Sequence, residues 1–294
     1  MTQTPLSSEL HASSKRQATR LWLGTSGYTN DDWRGLFYPT GLSSSDYLAY
    51  YAQHFPIVEL NSSFYALPSQ QVFATMVDKS AGQTQVLVKV HQSVTHDRSA
   101  DTGYYQALLA ATTPLRDANV LAGYLLQFPY SFQRNKDTRR YLAGCLQQLT
   151  GQPLALSFRH NSWDAPSVLD TCRHHELMWV SGDYPHLDNL LAPHLYVTTH
   201  AAYVRLHGRN EATWWNAQSA SERHNYRYNA QELEGWLEQL QQASQTQRVD
   251  DIYMIFANTT QGHALANMAT VQELANKYGF MLEQRGGIKQ QGLF

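Results

Sequence analysis

Apolar and polar positions along this chain alternate with two different periods, and the switches between those periods mark out its elements. Leu21-Trp22-Leu23-Gly24-Thr25-Ser26 is a short apolar run that stops in a glycine-bounded turn, as a buried strand does. Tyr47, Leu48, Tyr51 and Phe55 follow at helical spacing after Ser45 and Asp46, residues suited to cap a helix. Strand periodicity returns in Ile57-Val58-Glu59-Leu60-Asn61, where Val58 and Leu60 share one face and Ile57, Glu59 and Asn61 the other. A stripe of Val72, Phe73, Met76 and Val77 predicts a helix opened by Pro68. Val86 to His91 is the next strand, with Leu87, Lys89 and His91 on a common face.

The same exchange continues to the end. A helix from Tyr104 to Leu115 precedes a strand over Gly123–Pro129, which carries Gln127 near its stop. A helix from Asp137 to Leu149 leads to a strand over Leu154–Arg159, in which Ser157 and Arg159 share a face, and a helix from Ala165 to His174 leads to a strand over Leu177–Asp183. In Ala202–Gly208, Tyr203, Arg205 and His207 point one way and Val204 and Leu206 the other. A helix striped by Leu233, Trp236, Leu237 and Leu240, a strand over Ile252–Phe256 that runs on to Asn258, and a helix from Gly262 to Tyr278 complete the pattern.

About eight strand–helix alternations in 294 residues, against the ~250 typical of the fold, predict one α/β domain built as a (β/α)8 barrel over residues 21–294. A doubly wound open sheet is the weaker alternative, because Gly24-Thr25-Ser26-Gly27 is too short for a dinucleotide fingerprint. Residues 1–20 are polar, carry Lys15, Arg16 and Arg20, and read as an N-terminal tail without the apolar run of a signal peptide. Together with two widely spaced cysteines, Cys145 and Cys172, this predicts a cytoplasmic protein. No window approaches the ~20 apolar residues of a membrane span, so no membrane partner is expected. The sequence says nothing of oligomeric state.

Composition changes this picture only through charge. A formal net charge of −2 supplies no global attraction for nucleic acid, so anion binding must come from a local cluster. In a barrel every strand end faces one rim, and the catalytic face is that rim. Glu59, Asn61, Lys89, Gln127, Arg159, Asp183, Arg205, His207 and Asn258 all fall there. Each has an ordinary structural explanation, such as a Glu59 pairing with Lys89 or Arg205, but so many at one end point to a site. Lys89, Arg159 and Arg205, with His96, His160 and His207 nearby, predict a cationic pocket for a small anionic ligand, a phosphate ester or sugar acid.

For chemistry, Glu59 and His207 are the candidate proton-transfer groups, with Asp183 orienting His207 or holding a metal. Glu59→Gln is then expected to abolish turnover with little effect on folding. Lys89 is a further candidate, as a Schiff-base nucleophile. No cofactor is predicted: there is no helical His-Glu-x-x-His and no close ligand pair, which leaves a divalent metal as a minor reading. Tyr28 and Trp33, in the aromatic loop Gly27–Pro39, and Tyr65 and Trp163 are candidate walls of a ligand site.

At this point the chain resembles a known family. Gly24-Thr25-Ser26-Gly27-Tyr28 with Trp33 and Phe37-Tyr38-Pro39, then Val58–Pro68, Lys89 with Thr95-His96, Leu126-Gln127-Phe128-Pro129, Phe158-Arg159-His160 with Trp163, Tyr203–Arg209, and Phe256 with Asn258 are similar to the motifs of the domain of unknown function 72 (YecE-like) family. The resemblance covers nearly everything after residue 20 and implies a TIM-barrel-like fold without an agreed activity. The chain departs from the family pattern twice: Ser157 stands where Glu is usual, and Ala257 where a second Asn is usual. Loss of that strand-end carboxylate removes a possible acid, base or metal ligand.

Three functions compete on these grounds. One is an acid/base hydrolase or isomerase acting on a small phosphorylated or acidic substrate. A second is a nucleic-acid-binding or processing protein, by analogy with endonuclease-IV-like barrels, stacking bases on Tyr28, Trp33, Phe64 and Tyr65. The third is a ligand sensor without catalysis.

Overall fold

The computed structural model describes residues 18–284. The expectation of an N-terminal tail falls mostly on residues 1–17, outside the described residues, and Arg20 already belongs to the first strand. Eight strands run parallel: β1 (Arg20–Ser26), β2 (Ile57–Leu60), β3 (Gln85–Lys89), β4 (Leu121–Gln127), β5 (Leu154–Ser157), β6 (Met178–Asp183), β7 (Ala201–Leu206) and β8 (Asp251–Phe256). Each pairs with the next, β8 pairs with β1, and β1 pairs with β2, so the sheet closes into the single (β/α)8 barrel that the alternation predicted.

Closure depends on a close approach. Gly24 lies opposite Ile57 across the β1–β2 seam, and a Cβ there would run into the Ile57 carbonyl. β2 reaches only the upper half of β1. A ninth strand, β9 (Met281–Leu282), which the sequence pattern did not reveal, lies parallel beside Arg20 and Leu21 and fills the lower half of that seam.

The two-residue strand period separates two cores. Trp22, Ile57, Leu87, Leu125, Ala155, Val180, Tyr203 and Ile255 fill the barrel interior as an apolar plug. The alternate residues, among them Leu23, Val58, Leu60, Val88, Leu126, Leu156 and Val204, pack outward against the helices. Those helices are Tyr47–Ala52, Gln70–Lys79, Thr102–Ala111, Lys136–Gln148, Pro166–His174, Ala230–Thr246 and His263–Ala275. Cys145 and Cys172 are free thiols buried in this outer layer.

Three local expectations change. The helix expected to open at Pro68 begins at Gln70, because the Ser69 hydroxyl takes the cap by accepting from the Val72 N–H. The helix expected over Tyr104–Leu115 is two, Thr102–Ala111 and Thr113–Asp117. Thr112 ends the first, and Pro114 occupies the opening turn of the second. Finally, β6 connects to β7 through residues 184–200 without a helix. Leu187, Leu190, Leu191, Leu195 and Val197 of that connection cover the barrel wall instead. Among the described residues no helix is long and apolar enough to cross a membrane.

Candidate functional site at the barrel mouth

Two residues above the apolar plug, the inward positions turn polar. Stepping up each strand from Ile57, Leu87, Leu125, Ala155 and Tyr203 reaches Glu59, Lys89, Gln127, Ser157 and Arg205. The strand period therefore places these side chains on one level, at the C-terminal ends where parallel barrels carry their sites.

Glu59 is wholly buried and saturated. Its Oε1 accepts from Arg205 Nη2 at 2.7 Å and Ser26 Oγ at 2.9 Å, and its Oε2 accepts from Tyr203 Oη at 2.6 Å and Arg205 Nε at 2.8 Å. This two-pronged Arg–carboxylate fork is the strongest geometry available to the pair. Burial alone would raise the Glu59 carboxyl. The charge and hydrogen bonds of Arg205, then the Lys89 charge and the Tyr203 hydroxyl, outweigh it and hold the group below its ordinary range. A carboxylate so engaged is a poor proton carrier at neutral pH. The expectation that Glu59→Gln would spare folding must be revised, since it strips the counter-charge from a buried guanidinium.

Above this pair lies a cavity of about 330 Å³ lined by Ser26, Asn61, Phe64, Tyr65, Lys89, His96, Gln127, Arg159, Arg205, Ala220, Ser221, Arg223, His224, Ala257, Thr259 and Thr260. It holds four cationic side chains and no carboxylate in its lining. Arg205 is neutralised by Glu59. Among the described residues, Arg159, Arg223 and Lys89 have no carboxylate partner, and Arg159 Nε, Arg223 Nε and Gln127 Nε2 are buried donors with nothing to donate to. Lys89 Nζ lies 4.3 Å from the Phe64 ring centre.

The electrostatics follow from this crowding. Burial, then the Arg205 and Arg159 charges, pull the Lys89 ammonium down to about 7 against the opposing pull of Glu59. His96 is pushed down to about 4 by burial and by Arg159 and Lys89, and His224 to about 3 by burial and Arg159. Both imidazoles are neutral at pH 7. His224 donates from Nδ1 to the His207 carbonyl at 2.7 Å.

The structure thus brings Asn61, Tyr65, Lys89, His96, Gln127, Arg159 and Arg205 together around one cavity. It places the other candidates elsewhere. Asp183 sits on the outward face of β6, where it accepts from Arg209 Nε at 2.8 Å and Nη2 at 2.7 Å, Tyr228 Oη at 3.0 Å and Trp236 Nε1 at 2.6 Å. Its carboxylate makes no hydrogen bond to the His207 ring among the described residues; the two meet only through the backbone, where the His207 N–H donates to the Asp183 carbonyl at 3.2 Å. His207 is fully buried, stacked 4.6 Å from Tyr184, with Arg205 Nη1 3.0 and 2.9 Å from its ring nitrogens. Burial, then the Arg205 charge, lowers it well below the ordinary imidazole range, and it is not among the residues that line the cavity.

Asn258 also points outward, donating to the Tyr226 carbonyl and to Asn267 Oδ1. His160 uses Nδ1 to accept from the Ser162 N–H and caps a short turn. Trp163 is buried, stacked 4.4 Å from Phe158, and donates to the Phe132 carbonyl. Trp33 is buried beside Phe37 and donates to the Thr259 carbonyl at 2.9 Å, so it braces a loop of the cavity without lining it. Tyr28 lines a separate side groove with Ser69 and Met76.

Sequence reading missed Ser26, Arg223, His224 and the 259–260 turn. Ser26 could have been found, because it closes β1 on the same face as Trp22 and Gly24. Arg223 and His224 lie on the long β7–β8 connection, where no periodicity signals direction. Among the described residues no group of three or more His, Cys, Asp or Glu stands together as a metal site.

Fold and mouth together define a closed parallel barrel whose strand ends enclose an electropositive cavity. The family described as protein of unknown function DUF72 matches residues 22–288, and the chain belongs to it. It is 30% identical to the UPF0759 protein YunF of Bacillus subtilis over 270 residues, covering 86% of this chain and 94% of that one. A DUF72-family protein of Thermotoga maritima superimposes with a TM-score of 0.79 at 33% identity, over 87% of this chain and 99% of that one. One from Enterococcus faecalis gives 0.78 at 24% identity, over 92% and 100%, a likeness of fold.

Proposed function

We propose that the chain binds a small oxyanion-bearing molecule, a phosphate ester or sugar acid, in the cavity at the barrel mouth. The observation that carries this reading is the set of unspent donors: Lys89, Arg159 and Arg223 converge without a carboxylate among them, and three buried N–H groups lack acceptors. A protein does not leave buried donors and like charges together without cost, and a ligand rich in acceptor oxygens removes both penalties. The cavity volume of about 330 Å³ lies at the small end of ligand sites, which suits a compact molecule.

The nucleic-acid reading loses support from its own stacking residues. Trp33 is wholly buried and Tyr28 faces another groove, which leaves Phe64 and the 69% exposed Tyr65.

Arg159→Ala is the informative variant, because Arg205→Ala would also strand Glu59. Sulfate or phosphate should raise the melting temperature of the wild-type protein above that in chloride of equal ionic strength. In Arg159→Ala that rise should shrink by more than half, while the ligand-free melting temperature holds or increases, since an unpaired charge has been removed. Equal anion-dependent shifts in both proteins would overturn the reading.

A further inference from the structure

We propose that Lys89 is a covalent carbonyl-capturing residue, whose Nζ forms a Schiff base with the aldehyde or ketone of a small substrate whose phosphate or carboxylate is held by Arg159 and Arg223. This rests on the anion reading above and adds to it a substrate class and a reacting atom.

The placement of Lys89 sets it apart from the other lysines of the described residues. Lys79 donates to the Ser45 carbonyl, Lys277 pairs with Glu234 at 2.6 Å, and Lys136 is exposed on a helix. Lys89 closes β3 on the inward face and lines the cavity, and while its backbone carbonyl accepts from Ser63 Oγ at 2.7 Å, its Nζ has no hydrogen bond or carboxylate partner among the described residues. One side of its ammonium is the Phe64 ring, 4.3 Å away, which shields it from water. The nearest carboxylate, Glu59, is already committed to both forks of Arg205. A lysine meant only to hold an anion needs no such isolation, whereas a nucleophilic amine must shed its proton. Burial and the neighbouring arginines provide for that, bringing the ammonium down to about 7, so that half of the amine is neutral near pH 7.

The step balances without an external redox partner. The neutral Nζ lone pair attacks the carbonyl carbon, and the C=O π pair moves to oxygen, which takes a proton from water at the mouth. The hydroxide so left takes the extra proton from nitrogen, a solvent hydronium protonates the carbinolamine hydroxyl, and that hydroxyl leaves as water as the nitrogen lone pair forms the C=N bond. The product is an iminium ion, and one water leaves. Such an iminium draws electrons from an adjacent C–H or C–C bond, which is the chemistry of isomerases and aldolases in general.

Glycolaldehyde phosphate with sodium borohydride as reductant tests the assignment, with neutral glycolaldehyde as comparison. Intact-mass analysis and peptide mapping should find one reduced adduct per chain, on Lys89, at least tenfold above any other lysine at pH 7.5. Inorganic phosphate should suppress it, and Lys89→Arg should abolish it. In the wild-type protein the labelling rate at Lys89 should rise through a midpoint near pH 7 rather than near the ~10.4 of a free lysine amine; this readout needs no variant to fold. Adducts spread evenly over all lysines, or a Lys89 midpoint near 10, would overturn the proposal. If phosphate still raises the melting temperature in that case, the anion site stands and only the covalent role falls; if it does not, both fall.

Discussion

Two hydrogen bonds join Glu59 to Arg205, and Tyr203 and Ser26 each add one more to the carboxylate. Breaking one member of a buried pair costs about 3–5 kcal/mol, because the survivor keeps its charge without its partner. Glu59→Gln should therefore lower the unfolding free energy in urea by about 3 kcal/mol, and a second change, Arg205→Met, should recover part of that loss as a coupling energy. A Glu59→Gln protein within 1 kcal/mol of wild type would show that the fork is not what holds this level of the barrel together. The residue scale also shows what was readable in advance. Glu59, Asn61, Lys89, Gln127, Arg159 and Arg205 could be placed on the strand ends because each lies an even number of residues above an interior apolar position. Asp183 and Asn258 defeat the same reasoning. Alternation says which residues share a face, not which face is inside, and β6 and β8 are largely buried on both faces, so the contrast that would have assigned their direction is missing.

At the scale of elements, Asp183 is a clamp. From the end of β6 it grips Arg209 and Tyr228, at the two ends of the segment that carries Arg223 and His224 to the cavity, and Trp236 on the helix Ala230–Thr246. Asp183→Asn should leave the barrel strands protected while raising amide hydrogen exchange across residues 208–229 at least tenfold, a local loss of about 1.4 kcal/mol or more. The anion-dependent thermal shift should fall with it. Unchanged exchange over that segment would mean that it is held by its own packing. The strands and the amphipathic helices were legible because a period of two or of 3.6 is written into each. β9, only two residues long, is too short to show a period, and the break at Thr112 is a contest between an apolar stripe and a proline that the stripe alone does not reveal. The segment 208–229 has turns and one four-residue helix, so its contribution to the cavity is visible only in three dimensions.

For the whole molecule the mouth has a consequence for acid stability. His96, His207 and His224 all have folded-state values below the ordinary 6.5, so between 6.5 and their folded values the unfolded chain binds protons that the native chain does not. Their contribution is complete above pH 6.5 and is lost as the pH falls toward 4 and below. Glu59 has the same sign, its contribution present above about 4.5 and lost below. Lys89 extends the trend upward, because from about 7 to 10.5 the unfolded amine is protonated and the native one is not. Unfolding free energy measured in urea should therefore climb with pH from 4 to beyond 8, with a slope between pH 4.5 and 6 above about 1.4 kcal/mol per unit, the value for one proton. A maximum at pH 6 would contradict this account.

The seam at β1 bears on how the molecule is made. Arg20 binds Asp251, 231 residues further along, and the lower half of β1 has no neighbours until 251–256 and 281–282 exist. At ~5–20 residues per second a ribosome needs roughly 10 to 50 s to deliver them. Throughout that interval the lower half of the first strand is a bare edge, open to pairing with any other chain. For this barrel, synthesis itself is the exposed phase, and the demand on holding chaperones falls on the first strand made.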